Sequence, residues 1–355
     1  MGLAPYGVPK YKKLILDTLI DLKNDGSFHL NLKYFKYCTG LTMINEKFEN
    51  LFSRKALARN GKLTQFYMDI ACSIQAVTDE VMLAMSRYVY KNTGEKNLCL
   101  AGGVALNCVA NGKMLRQGLF KNIWIQPAAG DAGGALGAAL FTYYQILNKK
   151  REVNRTQDSM QGSYLGPEFN SRDIKITLKK EKIIYKKMPD DKLVNEVSIL
   201  INDQKVIGWF QGRMEFGPRA LGNRSIIADA RSTKMQKILN LKIKFRESFR
   251  PFAPSVLKEK AQDYFDLSSP SPYMLFVAEV KKRSTIPAVT HVDYSARIQT
   301  VDKRDNPLYY NLIKKFGDKF GCHLIINTSF NVRGEPIVCT SEDALKCFFR
   351  TDMDY

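Results

Sequence analysis

Arginines alternate with glycines between Trp209 and Ser225, and this run has the composition of a phosphate-binding loop. Arg213, Arg219 and Arg224 stand among glycines directly after a predicted strand. A guanidinium group is a planar fork of N–H donors, and it binds a phosphate or a carboxylate through two parallel hydrogen bonds. The spacing therefore predicts that this part of the chain recognises an anionic substrate.

Further cationic and polar side chains extend this hypothesis to much of the second half of the chain. They are Lys244, Arg246, Arg250, Arg297, Asn327 and Ser329. If they converge, they surround one pocket with more positive charge than an ordinary ion pair needs. The alternative is a set of unrelated surface ion pairs. Against it, the arginines lie among Gly, Pro and Phe, whereas solvated faces usually mix lysine with glutamate.

Acidic side chains near the arginines leave two interpretations open. One is that Glu215 and Asp229 coordinate Mg²⁺ beside bound phosphates, since Mg²⁺ favours one or two carboxylates together with substrate oxygens. The other, at least as well supported, is that they pair with the same arginines. His291 precedes Asp293 and Arg297 and is a weaker candidate for the same pocket.

Two segments of small residues in the first half are candidates for ligand-binding turns. A predicted strand passes through Gly102 and Gly103 into a helix near Asn107. The start of a helix offers unpaired N–H groups to an anion, although close packing of strand against helix explains the same glycines. Asp131 begins the next predicted helix. It is either a metal or nucleotide ligand or an ordinary acidic residue favoured by the helix dipole.

Alternating strands and helices predict an α/β protein with two domains. Apolar residues spaced by three to four predict a long helix from Gln65 to Tyr90 that ends at Gly94. The polar stretch from Asn148 to Gly162 is the best candidate for a linker. The predicted strands of the second half are Lys182–Met188, Val206–Gln211, Met274–Val280 and Leu324–Asn327, and the predicted helices are Lys192–Asp203, Thr233–Ile243, Pro307–Phe320 and Glu342–Arg350.

The composition is that of a folded protein without a membrane span or a secretory signal. Its 355 residues suffice for two hydrophobic cores. The seven cysteines are scattered without a C-x-x-C pair, which indicates reduced thiols and a cytoplasmic location. The net charge of +19 comes largely from widely spread lysines. A solvated surface and anionic small molecules explain this charge better than nucleic acid does.

Together these motifs resemble the O-carbamoyltransferase family of nodulation-factor and antibiotic biosynthesis. The runs that carry the resemblance are Met1–Gly7, Ala101–Asn107, Pro127–Ala139, Gly212–Ser225, Lys244–Val256, His291–Val301 and Asn327–Val338. The resemblance implies an α/β protein in which residues 1–148 are the carboxyl-terminal part of an actin/sugar-kinase-like carbamoyl-transfer domain. It implies that residues 163–355 are a YrdC-like α/β domain and that residues 149–162 link the two.

The resemblance also implies an ATP-dependent reaction in two stages, with ATP, Mg²⁺ and an iron-type metal as cofactors. The YrdC-like domain converts carbamoyl phosphate and ATP to carbamoyl-adenylate. The other domain transfers the carbamoyl group to a hydroxyl of a sugar-containing or other small-molecule acceptor. By motif, the implied catalytic residues are Arg219, Arg224, Lys244, Arg250 and Arg297. The implied cofactor-binding residues are Gly102, Gly103, Asn107, Arg213, Arg246, Asn327 and Ser329, and the implied metal ligand is Asp131.

Two departures from the family pattern keep other functions open. The family's metal-ligating histidine pair precedes the Gly-Leu-Ala-Pro-Tyr-Gly motif at which this sequence starts, so we expect a fragment with an incomplete metal site. Tyr294-Ser295 stands where the family usually has Gly-Thr, and a tyrosine there alters the backbone or narrows the pocket. The alternatives are a truncated nucleotide- or RNA-binding protein without full turnover and a threonylcarbamoyl-adenylate-type enzyme of tRNA modification. A homodimer is also left open.

Overall fold

Most of the chain is described by a computed structural model, and the described residues are 1–58, 61–154 and 158–355. They form two compact units, which comprise residues 1–98 with 109–123 and residues 99–108 with 124–355. This division differs from the predicted domain boundary, because residues 99–108 and 124–148 group with the second unit. Of the predicted linker 149–162, residues 155–157 lie outside the described residues.

Helices and strands alternate through much of the described chain, as expected for an α/β protein. The α-helices are α1 (Lys12–Thr18), α2 (Glu46–Leu51), α3 (Gln65–Thr93), α4 (Cys108–Gln117), α5 (Ala132–Phe141), α6 (Ser171–Lys180), α7 (Asp190–Asn202), α8 (Met235–Ile238), α9 (Ala261–Tyr264), α10 (Pro307–Phe320) and α11 (Ser341–Phe349). The strands are β1 (Ile20–Leu22), β2 (Phe28–Leu30), β3 (Asn97–Leu100), β4 (Asn122–Ile125), β5 (Ile207–Phe210), β6 (Arg224–Ala228), β7 (Ala253–Leu257), β8 (Phe276–Glu279), β9 (Ser295–Val301) and β10 (Leu324–Ser329).

The long helix α3 organises the first unit. A hydrophobic cluster forms the core around it, and its buried members are Ile15, Leu19, Ile20, Phe52, Val77 and Val81. Gly94 ends the helix as predicted, with the positive φ of 64° that a left-handed cap requires. Two buried polar residues of α3 hold the start of the chain. Asp69 accepts a hydrogen bond from the N–H of Val8 (3.0 Å), and Ser73 accepts one from the N–H of Tyr11 (2.9 Å).

A six-stranded mixed sheet forms the centre of the second unit, in the order β5-β6-β10-β7-β9-β8. Its neighbouring strands are antiparallel except β7 and β9, which pair in parallel. All residues of β6 and β7 are buried, and so are the first four of β10. Because these central strands are covered on both faces, they show no alternation of polar and apolar residues.

The structure corrects several assignments made from the sequence. Residues 182–188 form no strand, although their β-branched and aromatic residues favour one. Strands β6 and β7 are missed by the sequence analysis, since β6 begins at Arg224 and β7 contains Pro254, and both residue types are uncommon in central strands. The helix predicted at residues 307–320 matches α10. In the described part of the chain, no helix is long and apolar enough to cross a membrane.

Candidate anion-binding site

The arginine run connects two neighbouring strands of the sheet. β5 and β6 pair with Phe210 opposite Arg224, and we call the residues between them, 211–223, the arginine loop. Gly222 has a positive φ of 111°, and a Cβ atom there would lie 2.4 Å from the ring of Tyr309. Glycine is therefore required at this position for two reasons, the backbone conformation and the close approach of the ring.

The structure brings Arg219 of the arginine loop next to Arg297 of β9. Repulsion by Arg297 is the main reason that the pKa of Arg219 is lowered to about 10, and burial adds to it. The Nε atoms of both arginines are buried and have no hydrogen-bond partner among the residues that the structure describes. Neighbouring cations with unsatisfied buried donors are unfavourable until an anion joins them. This pair is therefore the strongest candidate for contact with an anionic ligand.

Arg246 and Arg250 extend the same positive region. The pKa of Arg246 is lowered to about 10, mainly by burial and in addition by repulsion from Arg250 and Arg297. The Arg246 Nε atom donates to Asn240 Oδ1 at 2.7 Å, and its guanidinium lies 5.0 Å from the ring centre of Phe252. Arg250 is exposed, and its Nε atom lies 3.2 Å from a carboxylate oxygen of Glu247. Arg297 thus repels both Arg219 and Arg246, and Arg250 repels Arg246. That these four arginines form one ligand site stays a prediction.

Arg224 does not join this group as a ligand-binding residue. Its side chain is fully buried, and its guanidinium lies 3.8 Å from the ring centre of Phe210. It donates hydrogen bonds to the carbonyl oxygens of Gln211 (2.7 Å), Gly212 (3.2 Å) and Cys339 (3.2 Å). Because backbone carbonyls occupy its donors, this geometry favours a structural role over the predicted contact with carbamoyl phosphate.

Lys244 is likewise engaged by protein oxygens. Its Nζ atom contacts the carbonyl oxygen of Ser329 and lies 2.9 Å and 2.8 Å from the carbonyl and side-chain oxygens of Asn331. Burial lowers the pKa of Lys244 to about 7, with Arg246 as a second cause. The amine therefore anchors the turn at residues 329–331. This position supports the site without placing the amine on a substrate.

The remaining predicted polar residues lie in supporting positions. The Arg213 Nη1 atom donates to the carbonyl oxygen of Gly166 at 3.3 Å, at an exposed site. Asn327 is buried, and its Nδ2 atom donates to the carbonyl oxygen of Ala220 at 3.2 Å, inside the arginine loop. Ser329 Oγ lies 2.7 Å from Asn331 Oδ1. Arg213 belongs to the arginine loop, and Asn327 contacts this loop from β10, at the residue that follows Arg219.

The glycine segment, residues 101–107, is open in the structure. Gly102 has a positive φ of 96°, and its N–H donates to the carbonyl oxygen of Ala129 at 2.9 Å. Adjacent residues aside, a Cβ atom at Gly102 or Gly103 would meet no atom of the described residues within 4 Å. Asn107 ends the 3-10 turn that follows these glycines. The space around Gly102 and Gly103 fits their predicted role as a cradle for a ligand.

The described residues do not fit the implied metals. Asp131 is exposed at the start of α5, and no group of three His, Cys, Asp or Glu residues in the described ranges could hold a metal ion. Asp229 is paired with the guanidinium of Arg231 at 2.7 Å, which favours the structural reading of this carboxylate. His291 is buried, with Nδ1 3.3 Å from Asp293 Oδ1. A separate cavity of 450 Å³, lined partly by Lys258 and Tyr310, contains none of the predicted site residues.

Tyr294 occupies a backbone position that suits glycine. Its φ is 62°, in the left-handed region, and the Arg283 guanidinium lies 3.9 Å from its ring centre. The ring is exposed. Tyr294 therefore adopts the left-handed backbone conformation that suits glycine, and its ring lies at the surface.

Two polar residues that hold the arginine loop, Gln299 and Tyr164, were not predicted from the sequence. Gln299 is buried in β9, and its Nε2 atom donates to the carbonyl oxygen of Leu221 at 2.7 Å. Tyr164 also donates to this carbonyl oxygen, at 2.9 Å. A glutamine among apolar strand residues is a usable signal in β9. The position of Tyr164, far away in sequence, has no such signal.

The fold is that of an α/β protein, and among the described residues its second unit contains two arginines, Arg219 and Arg297, whose buried Nε atoms have no hydrogen-bond partner. Residues 1–140 match the family model described as Carbamoyltransferase N-terminus, and residues 198–355 match the one described as Carbamoyltransferase C-terminus. The chain belongs to the carbamoyltransferase family. The two matched ranges lie on either side of the predicted linker, and the domain boundary itself stays a prediction.

Several proteins resemble the chain over most or all of its length. It is 57% identical to an uncharacterised protein of Synechocystis and 38% identical to the nodulation protein NolO of Bradyrhizobium diazoefficiens, in both cases over 100% of this chain. It is 36% identical to nodulation protein U of Rhizobium fredii over 68% of this chain. These alignments cover 62%, 63% and 39% of the three relatives, so the chain spans less than two thirds of their length.

A solved structure of full-length HypF, in its phosphate- and nucleotide-bound form, also resembles part of the chain. The likeness covers 47% of this chain and 21% of that protein, with 17% identity and a TM-score of 0.33. This similarity is too low to define a shared fold. The actin-like and YrdC-like assignments therefore stay predictions.

Proposed function

We propose that this chain takes part in ATP-dependent carbamoyl transfer and that its second half activates carbamoyl phosphate. In the proposed reaction, water converts carbamoyl phosphate to carbamate and phosphate. A carbamate oxygen then attacks the α-phosphorus of ATP and expels pyrophosphate, which leaves carbamoyl-adenylate. Attack by a hydroxyl of a small-molecule acceptor on the carbamoyl carbon releases AMP and completes the transfer.

The observation that carries this proposal is the pair formed by Arg219 and Arg297. Their guanidinium groups repel each other, and their buried Nε donors have no partner among the described residues. A phosphate group resolves both problems, because it brings negative charge and several acceptor oxygens. The matches to both carbamoyltransferase models support carbamoyl phosphate as the anion.

The proposed chemistry depends mainly on positioning and on charge stabilisation. Carbamoyl phosphate and ATP are both polyanions, and reactions at phosphorus gain most from donors that are already in place as charge develops. We assign Arg219 and Arg297 to the phosphate that leaves carbamoyl phosphate. Arg246 and Arg250, which raise the positive potential beside them, are assigned to the nucleotide phosphates.

The cofactors of the reaction are part of the proposal. Bound Mg²⁺ would neutralise charge on the ATP phosphates, and we assign it mainly to substrate oxygens, since Asp229 is already paired. We assign no step to an iron-type metal, because the described residues do not form its site. The glycine segment is the proposed cradle for the adenylate, with Gly102, Gly103 and Asn107 as its members.

Release of pyrophosphate tests the activation step. The protein is given ATP, Mg²⁺ and carbamoyl phosphate, and pyrophosphate and phosphate are both measured. We expect release that depends on carbamoyl phosphate, and we expect Arg219→Ala to reduce kcat/KM by about 100- to 1,000-fold, the loss typical of a donor to developing charge. The matched control is Arg304→Ala, which removes a surface arginine whose side chain is 73% exposed.

Two results would count against the proposal. One is an absence of pyrophosphate release that persists when the additional amino-terminal segment of the relatives is supplied as a separate chain. The other is an equal effect of Arg219→Ala and Arg304→Ala, which would show that the Arg219 pair has no special contact with the substrates.

A further inference from the structure

Glu215 lies buried at the base of the arginine loop, where its carboxylate binds the backbone of the loop itself. Its Oε1 atom accepts hydrogen bonds from the N–H groups of Leu221 (2.6 Å), Asn223 (2.8 Å) and Arg224 (3.4 Å). A charged acceptor makes stronger bonds to backbone N–H groups than a neutral one does. One side chain thus closes the loop around the segment that contains Arg219.

The same segment is held through its carbonyl groups. The carbonyl oxygen of Leu221 accepts from Tyr164 and Gln299, at 2.9 Å and 2.7 Å, and that of Ala220 accepts from Asn327 at 3.2 Å. All three donors belong to other parts of the second unit. The N–H of Leu221 and the carbonyl oxygens of Ala220 and Leu221, close behind Arg219 in the chain, are therefore all engaged in hydrogen bonds.

This attachment opposes a specific force. Arg297 repels Arg219, so a loosely held loop would move its arginine away from β9 when no anion is bound. Such a movement would separate the two guanidinium groups and disrupt the anion site that they form. Bonds from a buried carboxylate to three N–H groups resist it, and the ligand then meets a site that is already assembled.

The contacts of Glu215 also bear on its other interpretation, as a ligand of Mg²⁺. Its Oε1 atom is taken by the backbone, and its Oε2 atom is buried without a hydrogen-bond partner among the described residues. Burial is the main cause that raises the pKa of Glu215, while the N–H bonds from Asn223 and Leu221 oppose that change. A carboxylate enclosed in this way stabilises the loop more readily than it binds a hydrated cation.

We propose that Glu215 is a positioning residue: it holds Arg219 beside Arg297 against their mutual repulsion, so that the anion site exists before the substrate arrives. This inference rests on the proposed function for the identity of the substrate. It assigns to Glu215 no contact with the substrate and no role in binding a metal.

Chemical rescue tests this role. In Arg219→Ala, added guanidinium ion should restore a measurable part of the lost pyrophosphate release, because Glu215 still shapes the vacated space. In the double variant Glu215→Gln with Arg219→Ala, we expect no restoration. Glu215→Gln alone should lower kcat/KM for carbamoyl phosphate by on the order of 100-fold, mostly through KM, as expected for a displaced binding group. Raising the Mg²⁺ concentration should not reverse this loss.

The matched control is Glu49→Gln in the first unit. Glu49 Oε1 also accepts a backbone N–H, from Ala56 at 2.8 Å, and its substitution should leave KM unchanged. Equal rescue in the presence and absence of Glu215, or recovery of Glu215→Gln by Mg²⁺, would overturn the proposal. If Glu215→Gln does not fold, Tyr164→Phe takes its place: a raised KM supports a held loop, and an unchanged KM contradicts it. If the unmodified protein releases no pyrophosphate, the positioning role is tested separately by calorimetry, which compares the binding of inorganic phosphate to the unmodified protein and to Glu215→Gln. Weaker binding to the variant supports the role, and equal binding contradicts it.

Discussion

The arginine loop and the glycine segment both place glycine where the chain turns sharply, yet their surroundings differ. At Gly222 of the loop, an added Cβ atom would lie 2.4 Å from the ring of Tyr309. At Gly102 of the segment, an added Cβ atom would meet nothing within 4 Å in the part of the chain that the structure describes. In the loop, glycine permits close packing that immobilises the backbone. In the segment, glycine leaves space beside the backbone.

Helix α5 differs from the arginine loop in the same way as the glycine segment does. α5 is rich in alanine and glycine and has no buried residue, and Leu140 and Phe141 near its end are exposed. Exposed apolar surface of this kind often marks a place where another group binds. Within the described residues, the arginine loop is therefore packed and hydrogen-bonded, whereas the glycine segment and α5 are exposed.

The largest expected effect is the loss of Arg224. Arg224→Met removes the hydrogen bonds to several buried carbonyl groups of the loop, and we expect the free energy of unfolding to fall by about 3–5 kcal/mol. Denaturant unfolding measures this change. The control Arg213→Met alters a largely exposed arginine and should change stability by about 0.5 kcal/mol or less. Similar losses in both variants would contradict the structural role of Arg224.

The comparison between the two glycines is tested directly by alanine. Gly222→Ala combines a left-handed backbone with a clash against the buried Tyr309 ring, and it should cost about 3 kcal/mol or more. Gly102→Ala meets backbone strain alone and should cost about 1–2 kcal/mol. Thermal unfolding of the two variants under one condition provides the measurement. Equal costs would remove the distinction that we draw between the regions.

Removal of Arg297 should stabilise the protein while it weakens the site. Arg297→Met relieves the repulsion on Arg219, and we expect a gain of about 1 kcal/mol in the free energy of unfolding without ligand. Binding of inorganic phosphate, measured by calorimetry, should be lost in the same variant. A variant that loses stability and keeps phosphate binding would show that the pair is not held under strain.

The smallest expected effect lies in α5. Gly137→Ala places a better helix former where an added Cβ atom meets none of the described residues within 4 Å, and the free energy of unfolding should rise by about 0.5–1 kcal/mol. The measurement is the midpoint of thermal unfolding. A loss of stability would indicate that Gly137 packs against another group, and the contrast between the two regions would narrow.

Predictions from the sequence succeeded where the local signals agreed. α10 follows Asn306, whose side chain accepts a hydrogen bond from the N–H of Tyr309. The helix has Pro307 in its first turn and ends at Gly321, which has a φ of 74°. Each of these features is readable without a structure. Residues 182–188 have strand-forming composition but no partner strand, and propensity without a partner does not make a sheet.

The positive charge of the candidate site can be read from the sequence, but the separate roles of its arginines cannot. The sequence predicts that the arginines belong together, and in the structure Arg297 repels both Arg219 and Arg246, while Arg250 repels Arg246. It did not distinguish them from Arg224, whose donors bind backbone carbonyls. Guanidinium groups serve anions and carbonyl oxygens equally well, and only the surrounding atoms decide between these uses.

The sequence alone determined the family and the α/β class, because residue types and their order carry that information, and it predicts an anionic ligand. The tertiary structure decided which cationic side chains have donors left for a ligand. Arg219 lies beside a like charge, while Glu215, Gln299 and Tyr164 hold the backbone around it. These groups are up to 135 positions apart in the chain, from Tyr164 to Gln299. Their convergence follows from burial and strand pairing, which act between distant residues and have no local pattern.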